Sequence, residues 1–380
     1  DAPQKVPPSP VDAASRADFL QAADEVLADM SKLLSLPVLH PLKKSVRSRE
    51  EIRAFLVKNM REDKDNAKEY ADQRALEAFG LIPKDYPLDQ KMLELLTEQI
   101  AGLYDPKARE FFIADWTDVA DQRIIMAHEL THALQDQHFH VDQWEKAAKP
   151  NDDAVLARDA VLEGSATVAM EDYDLHQRGI DKSILQIPDI DPSLLLGDPN
   201  DSPQLAAAPL VIREEMLFPY TAGFAFTQQV LKAGNGWADL HKLFENPPVS
   251  TQQIIHPELY LRGVVPQVVD LAPVLKVVPK SWKKLDENVV GELALHVILE
   301  QYLGVDRADD LAPYWSGDRY AILEQQHGGP TLLVVRLRLA NAVAAARFFG
   351  GYSTVLEQRH ADRSALLRRP NFFSFDTPAG

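Results

Sequence analysis

The segment Met126-Ala127-His128-Glu129-Leu130-Thr131-His132-Ala133-Leu134 constrains the fold of this chain more than any other. Two histidines four residues apart face the same way only on a helix, where they sit one turn apart on one side. Apolar Ile124, Ile125, Ala127, Leu130 and Leu134 surround them, so the spacing predicts a helix packed on its remaining faces. Imidazoles so placed reach a single ion. Glu129, between them, can take a proton from a water beside that ion and later hand it to a leaving group.

The chain contains no cysteine, so any metal must be held by His, Asp or Glu, and disulfides and thiol nucleophiles are excluded. A catalytic zinc takes three protein ligands and keeps one position for water. No third histidine stands at the spacing H-E-x-x-H-x-x-G-x-x-H, and His138 and His140 fall where the helix frays and read as surface residues. The third ligand is read as Glu163, in Ala160-Val161-Leu162-Glu163-Gly164-Ser165-Ala166-Thr167. Small Ala160, Gly164 and Ala166 let a second helix approach the first, and a carboxylate on so apolar a face calls for a cation. Asp159 and Thr167, one turn on either side, suit hydrogen bonds to the ligands or ordinary polar helix positions. Tyr220 and His256 are the two candidate donors to a developing oxyanion, and each is equally a residue type that packs through a hydrogen bond.

On His128, Glu129, His132 and Glu163 the sequence resembles the gluzincin class of zinc metallopeptidases, over about 75 residues from 101 to 170 or a little beyond. The resemblance implies Zn2+ as cofactor and a peptide or protein as substrate. It also implies that the strand at residues 110–114, just before the active helix, is an edge strand, on which an extended substrate lies or which simply supports the helix. Many gluzincins carry Asp four residues after the ligand Glu, where this chain has Thr167. More broadly, Glu98-Gln99-Ile100-Ala101-Gly102-Leu103-Tyr104-Asp105-Pro106, the 128–139 and 162–167 segments, and Ser250-Thr251-Gln252-Gln253-Ile254-Ile255-His256-Pro257 resemble a family of uncharacterised bacterial proteins with this site. Two other readings stay open: a zinc hydrolase of non-peptide amides or esters, and a binding or scaffold protein that keeps the fold without turnover. Glu129 speaks against the last, since a structural metal needs no base.

Around this core the periodicity predicts an α+β, mainly helical chain. Residues 1–10, with four prolines, read as a disordered lead-in, 11–98 as a helical region, 99–265 as the zinc-bearing core and 266–380 as an α+β region. A hairpin turns at Tyr104-Asp105-Pro106-Lys107, Asn151 is a helix N-cap, and a strand pair lies near 319–324 and 332–339. Six prolines in 187–219 predict a long loop. The net charge of −17 excludes nucleic acid and anionic membrane as partners, and no apolar run is long enough to span a bilayer. Neither phosphate-loop pattern occurs. The proline-rich start and the lack of cysteine suit the periplasm or the exterior after removal of an upstream signal or tether, with a cytoplasmic location as the alternative.

Overall fold

A computed structural model describes residues 13–62, 65–99, 102–116, 119–188, 190 and 202–378. The 1–10 lead-in and much of the 187–219 stretch lie outside the described residues. Helix α1 (Ala13–Leu33) buries Phe19, Ala22, Val26 and Met30 at helical spacing. Strand β1 (Lys43–Arg47) and helices α2 (Arg49–Glu62), α3 (Asn66–Phe79) and α4 (Leu88–Gln99) follow. Strands β2 (Gly102–Asp105) and β3 (Glu110–Ala114) form the expected hairpin and lead into α5 (Val119–Phe139), which carries the histidines. Short α6 (Val141–Lys146) precedes α7 (Asp152–Gln177). That helix starts at Asn151, whose side chain accepts from the Ala154 N–H, with Asp152 and Asp153 in its positive first turn.

Next come α8 (Pro203–Ala207), α9 (Leu210–Ala233), α10 (Leu240–Glu245), α11 (Thr251–Ile255), α12 (Pro257–Leu261) and α13 (Ala272–Leu275). The remainder runs β4 (Lys283–Asn288), α14 (Gly291–Leu303), α15 (Val305–Leu311), β5 (Trp315–Glu324), β6 (Thr331–Leu339), α16 (Ala342–Arg359), β7 (Ser364–Arg369) and β8 (Phe372–Asp376). The chain is thus α+β and mainly helical, with sheets ordered β1-β3-β2, β4-β5-β6 and β7-β8. Among the described residues no helix is long and apolar enough to cross a membrane.

Two hydrophobic cores organise these elements. The first gathers α1, β3, α5, α7, α9 and α10 around Met30, Phe111, Leu130, Val161 and Phe224. The second joins α3 and α4 to α14, β5 and α16 through Phe79, Leu95, Ile298, Ile322 and Phe348. Residues 11–98 therefore divide between the two: α1 backs the histidine helix, while α3 serves the C-terminal region.

Three expectations change. The prolines of 187–219 do not keep that whole stretch a loop, because α9 begins at Leu210 and runs straight through Pro219. An interior proline costs a helix about 3 kcal/mol. Phe218, Phe224 and Phe226, buried on the same helix, offset it at about 2 kcal/mol each. Secondly, β3 is a central strand: β1 pairs with it in parallel from Lys43↔Glu110 to Arg47↔Ala114, and β2 pairs antiparallel on its other side. The edge next to the active helix belongs to β2. Thirdly, Ala160 and Gly164 of α7 meet α9, not α5. A Cβ on Gly164 would stand 2.2 Å from the Gly223 backbone, and one on Gly223 would stand 2.3 Å from the Ala160 carbonyl oxygen.

Neither helix can yield at that crossing without moving backbone. Gly164→Ala is expected to destabilise the protein by about 1–3 kcal/mol, the usual cost of overpacking, read as a lower urea midpoint at unchanged slope. An unchanged midpoint would contradict the backbone contact.

Candidate metal centre

His128 and His132 project from α5 toward α7, and Glu163 of α7 meets them. The Nε2 atoms of the two imidazoles lie 3.1 Å apart, and Glu163 Oε2 is 3.1 Å from His128 Nε2 and 3.5 Å from His132 Nε2. Three metal-binding atoms thus form a nearly equilateral triangle. A tetrahedral zinc with bonds of about 2.0–2.1 Å has ligand–ligand edges of ~3.3 Å, so the triangle has the size of one face of that tetrahedron. Two imidazoles and one carboxylate are also a donor set that suits zinc, whereas calcium and magnesium prefer oxygen alone.

Glu129 lies beside the triangle. Its Oε2 accepts the backbone N–H of Tyr104 at 2.8 Å, so the outer edge of β2 holds the carboxylate through a main-chain donor. The same tyrosine donates its hydroxyl to Asp136 Oδ2 at 2.8 Å, fastening β2 to the far end of α5. Gly102 permits the approach: a Cβ there would touch Ile125 at 3.1 Å and the Glu129 Cγ at 3.4 Å.

Tyr220, carried in by α9, lies over His128 with ring centroids 6.2 Å apart and planes tilted by 26°. The charge of Glu163, with burial and then Asp159 and Glu129, pushes its phenol well above the usual value, so the group stays protonated. The α7–α9 crossing accounts for this placement, since Gly164 follows Glu163 and Gly223 stands one turn beyond Tyr220.

His256 is not brought to this cluster. It ends α11, and its Nε2 lies 2.7 Å from Glu292 Oε1 of α14, a carboxylate only 2% exposed. That neighbourhood belongs to the start of α7, where Asp153 accepts the Thr251 hydroxyl at 2.5 Å, and Glu163 stands ten residues, about 15 Å, further along the helix. Thr167 donates to the Glu163 backbone carbonyl, not to its carboxylate. Asp159 makes no hydrogen bond to a ligand. Burial raises its carboxyl well above the usual range, and Glu163 and Glu145 add to the shift. His138 lies 2.8 Å from the Pro37 carbonyl, away from the cluster, and His140 adopts a left-handed backbone before α6.

Nothing in the residues marked Tyr104 for this role, because its contribution is a backbone group. A signal existed for Gln135, which stands three residues after His132 on the same helix face and meets its Nδ1 at 3.0 Å. Among the described residues one other group, Asp72, Asp152 and Asp286, gathers carboxylates closely enough for an ion. There Lys68 supplies the cation, bonded to Asp72 and, at 2.8 Å, to Asp152, with Asp286 at 3.6 Å.

Comparison with known proteins touches the other end of the chain. Residues 278–378, about a quarter of the length, match the family described as a domain of unknown function (DUF8575). No curated protein matches the chain. No solved structure matches it either. The match spans β4 to β8 and leaves out every residue of the triangle.

Burial opposes a charge on His132, but Glu163, then Glu129 and Gln135, outweigh it and push the imidazole up to about 9. Burial likewise opposes a charge on Glu163, yet His132 and His128 hold its carboxyl well below the usual range. In protein stripped by chelation these are one ion pair. The share from the raised His132 is complete below its ordinary value of 6.5 and is lost as pH rises through about 9. The share from the depressed Glu163 is present above 4.5 and is lost as pH falls through the lowered value. The urea midpoint of stripped protein is therefore expected to fall between pH 7 and pH 10, and Glu163→Gln to remove most of that fall. An equal fall in both proteins would show that the pair contributes nothing.

Proposed function

We propose that the chain is a zinc-dependent peptidase in which His128, His132 and Glu163 hold the ion and Glu129 is the general base. The observation that carries this reading is the triangle of two imidazole nitrogens and one carboxylate oxygen at tetrahedral-edge distances, with a second, separately held carboxylate beside it. The order of elements supports it too: a small sheet, a helix with H-E-x-x-H, and a second helix that supplies the glutamate form a gluzincin-like core. When bound, the ion supplies Lewis acidity, which makes a water nucleophilic near neutral pH and polarises a carbonyl.

The residues divide the remaining work. Tyr104 N–H occupies Glu129 Oε2, which orients the carboxylate and leaves Oε1 to take the proton from the attacking water. Glu129 then returns that proton to the departing amine, so the acid and the base are one group acting in turn. Tyr220, a phenol protonated at neutral pH, donates its hydroxyl to the oxyanion as it develops. His256, committed to Glu292, has no step.

Glu129→Gln is expected to retain about one zinc per chain by elemental mass spectrometry while peptide hydrolysis falls about 10²–10⁴-fold, the usual worth of a positioned base. Glu163→Ala is expected to lose the zinc itself. Full hydrolysis by the Glu129 variant would sink the mechanism, and hydrolysis of esters or simple amides without any peptide turnover would move the substrate class. Tyr220→Phe separates the oxyanion role from binding: kcat is expected to drop about 10²-fold with zinc content unchanged, and an unchanged kcat would remove Tyr220 from the reaction.

A further inference from the structure

His132 is the ligand whose second ring nitrogen is fully accounted for. Its Nδ1 lies 3.0 Å from Gln135 Oε1, Gln135 Nε2 donates to Ser165 Oγ at 2.8 Å, and Ser165 Oγ donates to the Val161 carbonyl at 2.6 Å and to that of Leu162 at 3.2 Å. Gln135 and Ser165 are wholly buried, so water does not substitute for any of these partners. The chain crosses from the helix that holds both histidines to the helix that holds Glu163, two residues from that ligand.

We infer that Gln135, locked by Ser165, is a positioning residue that fixes which nitrogen His132 offers to the metal. The direction of every bond follows from one fixed acceptor. A backbone carbonyl cannot donate, so the Ser165 proton points at Val161, and Oγ turns a lone pair toward Gln135. The amide therefore presents its NH2 to Ser165 and its oxygen to His132. An oxygen there requires a proton on Nδ1, which leaves the Nε2 lone pair aimed at the triangle. With the amide reversed, its NH2 would donate to Nδ1 and place the proton on Nε2, where it would block the ion. Metal-bound histidines commonly give this second hydrogen bond to a carboxylate, backbone carbonyl or water. Here a neutral amide serves, and its orientation is borrowed from the other ligand helix.

The inference rests on the zinc reading for its consequence but not for its geometry, and the test separates the two. In protein labelled with 15N-histidine, stripped of metal and held above the pH at which the His132 ring loses its charge, the His132 Nδ1 proton is expected to be resolved and protected from exchange while Nε2 carries none. Gln135→Leu, which removes the acceptor, is expected to abolish that signal and to weaken zinc about 10–100-fold in a chelator competition. Gln135→Glu is expected to keep the signal and bind zinc at least as tightly as the wild type, because both of its oxygens accept. Ser165→Ala is expected to weaken zinc in the wild-type background and to have no effect beside Gln135→Glu, which needs no orienting partner.

An absent or unprotected Nδ1 proton in the wild type would overturn the inference, and so would Gln135→Glu losing zinc as badly as Gln135→Leu, the result of mere packing. Should Gln135→Leu fail to fold, the wild-type resonance and the other two variants still decide. Wild-type protein that takes up no zinc would refute the zinc reading, while the proton signal would still judge the relay.

Discussion

The backbone contact between α7 and α9 at Gly164 and Gly223 sets the geometry around the candidate metal centre. It fixes how far α7 lies from α9, and α7 is also the helix that supplies Glu163 to the two imidazoles on α5. Tyr220 and Glu163 stand next to the glycine positions, so the crossing that removes their neighbours' side chains brings their own functional groups together. Such contacts are stiff, because main-chain atoms have no rotamer into which to retreat. A cluster whose useful edges are near 3 Å needs that stiffness, since small displacements of a ligand or a donor cost much of what it contributes.

Charge explains why so tight a cluster holds together. Glu163, Glu129 and Asp159 bring three acidic groups to one place, and each is answered differently. Two imidazoles face Glu163, a backbone N–H faces Glu129, and Asp159 is driven toward its neutral form by burial. The Asp72, Asp152 and Asp286 group shows the alternative solution. It presents similar oxygen spacing, but the ammonium of Lys68 reaches in from α3 and ties that helix to α7 and β4. The same electrostatic demand is met by an ammonium in one place and by two imidazoles in the other.

The small sheet contributes through its edge. With β1 paired to β3, the free side near α5 is β2, four residues long, and its Tyr104 reaches both Glu129 through the backbone and Asp136 through the hydroxyl. Strand and helix are thereby fixed relative to each other at two points along α5. In the proposed reaction the strand thereby sets the direction of the carboxylate that would move the proton.

Much of the local structure was legible in the residues themselves. The spacing of His128 and His132 required a helix, Asn151 announced the start of α7, and the turn at Tyr104 to Lys107 gave the hairpin, because capping, turn chemistry and periodicity act within a few residues. The grouping of both histidines with Glu163 was also readable, since an acid on an apolar helix face calls for a cation, whereas Tyr220 and His256 stood as rival candidates until packing chose between them. What sequence did not decide were the pairings between distant segments: β1 with β3, Gly164 with Gly223, His256 with Glu292, and the Tyr104 N–H with Glu129. Local pattern says that a face is apolar or that a group needs a partner, but many partners satisfy it equally. Only the packing of all elements at once chooses among them, as when three buried phenylalanines carry α9 through a proline that by itself would have ended the helix.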